Sequence, residues 1–87
     1  MAIEDFTNLE EEILTDFHED IFCVETLQDR IVIWFKYMFQ KKHFAIYDMV
    51  KEMFDIEKMN IEISAVWIYD DEIEQEVIKT RLLIEVL

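Results

Sequence analysis

Residues 61–86, IEISAVWIYDDEIEQEVIKTRLLIEV, decide the fold. Apolar side chains stand at every odd position from 61 to 69. In residues 77–86 the even positions alternate in the same way and are all apolar except Thr80. A period of two is typical of a β-strand with one buried face. The acidic segment DDEIEQE, residues 70–76, connects the two strands. Because the chain contains no Gly and no Pro, we expect Asp, Asn, Gln and Lys to form its turns, with connections longer than two residues.

Two further strands precede this pair. Residues 21–26 alternate as a short strand, and residues 30–39, RIVIWFKYMF, are dense in β-branched and aromatic side chains, which favours a second strand. A helix is the alternative for residues 30–39, because part of the stretch also fits a period of 3.6. The strand would place on one face Ile31, Ile33, Phe35, Tyr37 and Phe39, and on the other Val32, Trp34, Lys36 and Met38.

Two segments carry apolar side chains at helical spacing, residues 8–20 and residues 44–56. The first follows a capping box formed by Thr7 and Glu10. The apolar stripes are Leu9, Ile13, Leu14, Phe17 and Ile21 in the first helix, and Phe44, Tyr47, Val50, Met53 and Phe54, flanked by Ile46 and Met49, in the second. The order α-β-β-α-β-β predicts one α+β domain over residues 1–87, with an antiparallel sheet and both helices on one face.

The composition indicates an ordered protein. At 53% apolar and 14% aromatic residues, the chain differs from disordered sequences despite its net charge of −13. Cys23 is the one cysteine, so an intrachain disulfide is excluded and we expect a buried thiol. The first residues lack the pattern of a secretory signal, and no apolar run approaches the roughly 20 residues that span a bilayer. We expect a cytoplasmic protein without membrane contact.

Catalytic, cofactor and metal sites have little support in the sequence. Without glycine, the usual phosphate-binding loops, dinucleotide fingerprints and nucleophile elbows are excluded. The acidic run at 70–76 lacks the glycine and the ligand spacing of an EF-hand loop, and His18 has no correctly spaced zinc-binding partner. Glu76 and Lys79 only loosely match the paired carboxylates and lysine of a nuclease site. Ser64 has no nearby base that could activate it as a nucleophile. We therefore predict a protein that is not an enzyme and needs no cofactor or metal.

Charge is distributed very unevenly along the chain. Residues 1–29 contain ten carboxylates and no Lys or Arg, a local charge of −10. Residues 30–58 carry six bases against four acids, and residues 59–87 carry seven acids against two bases. Such a field repels nucleic acid and anionic membranes and attracts basic proteins.

The carboxylates of the first helix are dense enough to act as a polyanion. Glu10 to Asp20 holds six of them along about 15 Å of helix, or roughly 2.5 Å per charge, compared with about 1.7 Å per charge along duplex DNA. Ordinary surfaces intersperse both signs. We therefore predict a DNA-mimic surface, extended by the acidic connection, that comprises Glu11, Glu12, Asp16, Glu19 and Asp20 with Asp70, Asp71, Glu72, Glu74 and Glu76.

The sheet has more apolar surface than one helical layer covers. Strands with apolar residues on both faces need a second layer or a second subunit. Met38, Met49, Met53, Met59, Trp34 and Trp67 are most simply core residues. We expect a homodimer, with a dimer face that comprises Val32, Trp34, Met38, Val66 and Ile68.

A small, glycine-free, acidic and aromatic-rich chain of this kind resembles the DNA-mimic inhibitors of bacteriophages, most closely the Arn type of anti-restriction protein. The features that carry the resemblance are EDFTNLEEEILTDFHED at Glu4–Asp20, DDEIEQE at Asp70–Glu76 and the net charge of −13. It is a resemblance of composition and charge without a shared motif. It implies a phage protein in the host cytoplasm that occupies the basic DNA-binding groove of a restriction endonuclease or a histone-like nucleoid protein, and that does not itself bind nucleic acid.

Two alternatives remain at this point. In the first, the chain is an interaction module, such as an antitoxin or an assembly subunit, that binds through an apolar sheet face while the acids give solubility. In the second, it is an anti-CRISPR-type inhibitor, which shares the physics of mimicry and differs in its target.

Overall fold

The computed structural model describes residues 3–87, with side chains from Phe6 onward. These residues form two α-helices, three short 3-10 turns and four strands. In chain order they are α1 (Ile3–Phe17), a turn (His18–Asp20), β1 (Ile21–Thr26), β2 (Arg30–Phe35), a turn (Lys41–Phe44), α2 (Ala45–Met53), a turn (Ile56–Lys58), β3 (Met59–Asp70) and β4 (Gln75–Val86). The predicted α+β class and element order are confirmed.

The four strands form one antiparallel sheet in the order β1-β2-β4-β3. β3 and β4 pair along their whole length, from Met59 opposite Val86 to Asp70 opposite Gln75. β2 pairs with β4 only from Arg30 to Trp34, so the far half of the β3–β4 hairpin extends beyond β2. We call this far half, residues 65–80, the hairpin arm. It contributes to the elongated shape of the domain, whose principal extents are 40, 23 and 19 Å.

Both helices pack on the same face of the sheet, which we call the inner face. Alternate strand residues point into this layer, and the helices meet there through the stacked rings of Phe6 and Phe54, 5.1 Å apart. Burying each large apolar side chain contributes about 1.5–3 kcal/mol. The fully buried apolar core comprises Phe6, Leu9 and Ile13 of α1, Ile46 and Val50 of α2, Ile31, Ile33 and Phe35 of β2, and Ile84 of β4.

The first helix starts earlier than its sequence pattern indicates. α1 begins at Ile3, so Thr7 lies inside the helix and the capping box predicted at Thr7 and Glu10 is wrong. The buried stripe gains Phe6, which continues the spacing of Leu9 and Ile13 by one turn. Glu10 instead accepts a hydrogen bond from the Thr26 hydroxyl, which ties α1 to β1.

Residues 30–35 form a strand and not a helix, in agreement with the favoured prediction, but the strand ends at Phe35 and not at Phe39. A tight turn precedes it, closed by the bond from Leu27 N to Arg30 O at 2.8 Å. After Phe35 the chain leaves β2, and Phe39 N donates to Thr80 Oγ1 at 3.1 Å. This path brings the Phe39 ring against Phe35, 5.5 Å away, and continues the inner layer.

The apolar stripe predicted for the second helix is rotated. The buried face of α2 comprises Ile46, Met49 and Val50, whereas Phe44 and Tyr47 are 58% and 44% exposed. Ile46, Met49 and Val50 follow the i, i+3, i+4 spacing of one helix face, and Phe44 lies before α2 in the 3-10 turn at Lys41–Phe44.

Candidate functional site

The exposed side of α1 and of the turn that follows it carries four carboxylates, Glu11, Glu12, Asp16 and Glu19. We call this set the acidic helix face. Since Leu9 and Ile13 face the core, the helical period turns these four side chains to solvent, over about 12 Å of axis. Among the residues with described side chains, none of the four forms an ion pair.

Asp20 differs from its neighbours, because its charge is already engaged. Its carboxylate lies 2.8 Å from Lys42 Nζ and 3.2 Å from His43 Nε2. These two hydrogen bonds hold the pKa of the Asp20 carboxyl below its ordinary value of 3.8. The structure therefore pairs Asp20 with Lys42 and His43, beside the acidic helix face.

His43 anchors this cluster from inside the protein. The ring is 2% exposed and lies among Phe17, Phe35 and Phe39, with centroids 4.7–5.3 Å away. Its Nδ1 accepts a hydrogen bond from Gln40 N at 2.9 Å, so in the neutral ring Nε2 carries the proton and donates it to Asp20. The histidine thus caps the turn at Lys41–Phe44. Its bond to Asp20 also fixes this turn to the His18–Asp20 turn that follows α1.

The second predicted set of acids lies at the tip of the hairpin arm. Asp71, Glu72, Glu74 and Glu76 are exposed, and Asp70 is half-buried; its Oδ1 accepts a hydrogen bond from Glu72 N at 2.9 Å. This set belongs to different elements from the acidic helix face, since α1 packs against β1 and β2 while the tip joins β3 and β4. The two sets therefore do not form one continuous helical surface. The side chains of Glu4 and Asp5 lie outside the described residues.

Four of the five residues predicted for a dimer face share the outer face of the sheet. The register places Val32 opposite Leu83, Trp34 opposite Arg81, Val66 opposite Lys79 and Ile68 opposite Val77. Met38 does not belong to this strand face, because β2 has already ended.

The outer face exposes less apolar surface than its sequence suggests, because two cationic side chains cover part of it. Lys79 is only 7% exposed, with Nζ 4.6 Å from the centre of the Phe22 ring. The Arg81 guanidinium lies 5.7 Å from the Trp34 ring and donates to Ser64 Oγ at 3.4 Å. The aromatic rings attract the two cations, and the alkyl chains of Lys79 and Arg81 shield the outer face of the sheet from solvent.

A cleft lies beside the hairpin arm, where β4 continues beyond the end of β2. Its volume is about 950 Å³, and its walls mix both charges with apolar side chains. Lys36 and Lys79 contribute positive charge, and Asp70, Asp71 and Glu72 contribute negative charge. Within residues 6–87 no group of three His, Cys, Asp or Glu side chains is positioned to hold a metal ion.

Large apolar side chains of β3 are exposed on the inner face, beside α2 in the case of Ile63 and farther along the hairpin arm in the case of Trp67 and Tyr69. Trp67 is 65% exposed, Tyr69 56% and Ile63 49%. The prediction that Trp67 is a core residue is therefore wrong, and so is the same prediction for Met38, which is 61% exposed. The predicted burial of Cys23 is also wrong, because it is exposed on the edge strand β1. The length of β2 was mispredicted: it has six residues and ends at Phe35, beside twelve residues each in β3 and β4.

Comparison with known proteins gives no relative for this chain: no protein-family model, curated protein or solved structure matches it. No helix in residues 3–87 is long and apolar enough to cross a membrane.

Proposed function

We propose that the protein is a DNA-mimic inhibitor that inserts the acidic helix face into the basic DNA-binding groove of a host protein. The observation that carries the proposal is that Glu11, Glu12 and Asp16 of α1 and Glu19 of the following turn are exposed carboxylates without an ion-pair partner among the described side chains. Restriction endonucleases and histone-like nucleoid proteins of the host cytoplasm are the partner classes that fit.

The charge spacing supports mimicry of a single DNA strand. The four carboxylates span about 12 Å of helix, an average of roughly 4 Å between successive charges, compared with about 3.4 Å per charge along one strand of duplex DNA. Asp20 and Glu10 are excluded from this count because each is engaged within the fold. The carboxylates would meet Lys and Arg side chains that otherwise bind phosphates.

The fold fixes these charges before binding. α1 is held by the buried side chains of Phe6, Leu9 and Ile13, so little conformational entropy is lost when a partner binds. The net charge of −13 adds long-range attraction to a basic partner. Association should therefore be fast and strongly dependent on salt.

The test compares two variants with the same change of net charge. The first is E12Q/D16N/E19Q on the acidic helix face, and the second is D48N/E52Q/E57Q, which removes two glutamates and one aspartate that are also exposed. Each protein is used to capture partners from a bacterial lysate at low and high salt, with and without competing duplex DNA. Mimicry predicts that the native chain and the second variant recover a DNA-binding protein, that the first variant loses it, and that DNA or high salt releases it.

Equal recovery by both variants would overturn the assignment to α1. The exposed apolar residues of the hairpin arm favour a second candidate, an interaction module with apolar binding. That function predicts capture that neither high salt nor duplex DNA reduces, and that substitution of Trp67 abolishes.

A further inference from the structure

We propose that β3 pairs with β3 of a second copy of this chain, antiparallel and centred on Ala65, so that two sheets join into one of eight strands. The inference rests on the edge of the sheet and is independent of DNA mimicry. In this proposal the dimer contact is the free edge of β3, and not the outer face of the sheet that the sequence predicted.

β3 is an unusually unprotected edge strand. It is twelve residues long, and in the sheet order β1-β2-β4-β3 it has β4 on one side and no strand on the other within the described residues. Edge strands are normally kept apart by Lys, Pro, bulges or short length. β3 contains no Lys, Arg or Pro, whereas the opposite edge, β1, has six residues and an irregularity between Ile21 and Cys23.

The strand is complementary to itself when the two copies are centred on Ala65. Trp67 then lies opposite Ile63 of the second copy and Tyr69 lies opposite Ile61, all on the inner face. Cross-strand pairs of an aromatic with a β-branched residue are favourable. The exposed Trp67 and Ile63 thus cover each other, and the exposed Tyr69 packs on the half-buried Ile61.

The neighbouring registers are less favourable. A centre at Val66 would place Glu62 opposite Asp70 of the second copy, twice in each dimer, and opposed like charges are destabilising. A centre at Ser64 would place Tyr69 opposite Met59, which is already buried in its own core. With Ala65 at the centre, Asp70 faces Asn60, and Lys58 comes beside the acidic turn of the second copy.

The arrangement of charge permits the contact despite the net charge of −13. The acidic helix face lies on α1, which packs against β1 and β2, and β1 is at the opposite edge of the sheet from β3. Joining two β3 strands therefore leaves the two acidic helix faces at the outer ends of the dimer. Charges separated by more than about 10 Å are largely screened at 0.1 M salt.

The interface is modest in area. Trp67 and Tyr69 at their present exposure offer about 500 Å² of aromatic surface in the two copies together. With Ile63 and the paired backbones, the buried area approaches the low end of stable interfaces, about 1,200 Å². A dimer that dissociates on dilution is expected.

Disulfide trapping tests the register. In a Cys23→Ser background, Ala65→Cys places two thiols directly opposite each other, within the 4.4–6.8 Å between Cα atoms that a disulfide needs. Mild oxidation should give a covalent dimer of Ala65→Cys. Ser64→Cys and Val66→Cys should not crosslink alone but should crosslink when mixed, because residue 64 faces residue 66 of the second copy. Tyr47→Cys, exposed on α2, is the control.

Sedimentation of the native chain over a range of concentrations provides the second measurement. The native chain and E12Q/D16N/E19Q should both dimerise, whereas Trp67→Lys should be monomeric and folded. A native chain that stays monomeric at hundreds of micromolar, or an Ala65→Cys variant that crosslinks no faster than Tyr47→Cys, would overturn the proposal. Self-crosslinking of Ser64→Cys in place of Ala65→Cys would overturn the register.

Discussion

Asp16→Lys should stabilise the protein, although it replaces a residue of the proposed binding surface. Asp16 is exposed in the last turn of α1, which contains no basic residue, so its charge opposes the helix dipole. It also lies four residues after Glu12, at the spacing where like charges on a helix repel. A lysine at position 16 reverses both interactions and forms a favourable pair with Glu12.

The size of the effect follows from these two contributions. Charge at a helix end contributes about 0.3–1 kcal/mol and an exposed i,i+4 pair about 0.2–0.5 kcal/mol. We expect a gain of about 1 kcal/mol in the free energy of unfolding, which in a domain of this size raises Tm by roughly 4–8 °C. Urea denaturation and calorimetry measure both quantities.

Two controls separate charge from other effects. Asp16→Asn removes the repulsion without forming a new pair, so it should give about half of the gain. The advantage of Asp16→Lys should shrink in 1 M salt, where the Debye length falls to about 3 Å. An unchanged or lower stability, or a gain that salt does not reduce, would refute the reasoning and show that the native carboxylate has a stabilising contact in the folded protein.

Three further predictions concern the fold. Asp20→Asn should destabilise the protein at neutral pH. Because Lys42 and His43 lower the folded pKa of Asp20, the difference from the native chain should shrink as pH falls from 3.8 and disappear below the folded pKa; urea titrations at neutral pH and at several pH values under 3.8 test this. Glu74→Asn should stabilise by about 0.5–1 kcal/mol in thermal denaturation, because Glu74 has a φ of 53° and asparagine tolerates left-handed backbone better; a loss of stability would contradict it. Phe6→Ala should cost about 3–5 kcal/mol in urea denaturation, and a cost under 1 kcal/mol would show that α1 does not pack from its first turns.

The strands were the most predictable elements, since their period of two needs no distant information. β3 and β4 depart from the predicted ranges 61–69 and 77–86 by at most two residues at any end. β2 was ambiguous, because Ile31, Val32 and Ile33 form a continuous apolar run that fits either structure. The structure explains the run: β2 is central, between β1 and β4, and all three residues are buried.

The candidate site was only partly predictable. Helical spacing shows that Glu12 and Asp16 face solvent, because that depends on α1 alone. The pairing of Asp20 with Lys42 was not predictable, since it joins residues from distant parts of the chain. The exposure of Trp67 was missed for a related reason: alternation tells which face of a strand a residue occupies but not whether another element covers that face.

The acidic helix face and the β3 edge both lack the Lys and Arg residues that would stabilise or protect them locally. Helix ends such as that of α1 favour Lys or Arg, and edge strands such as β3 are commonly protected by Lys. The chain has eight such residues, yet residues 1–29 and 59–78 contain none. A cation on the acidic helix face would weaken its negative charge, and one on β3 would oppose strand pairing. Each exclusion lowers the stability or solubility of the isolated domain, and departures of this kind are expected at functional surfaces. Because the two surfaces lie toward opposite edges of the sheet, each can be neutralised or blocked without altering the other.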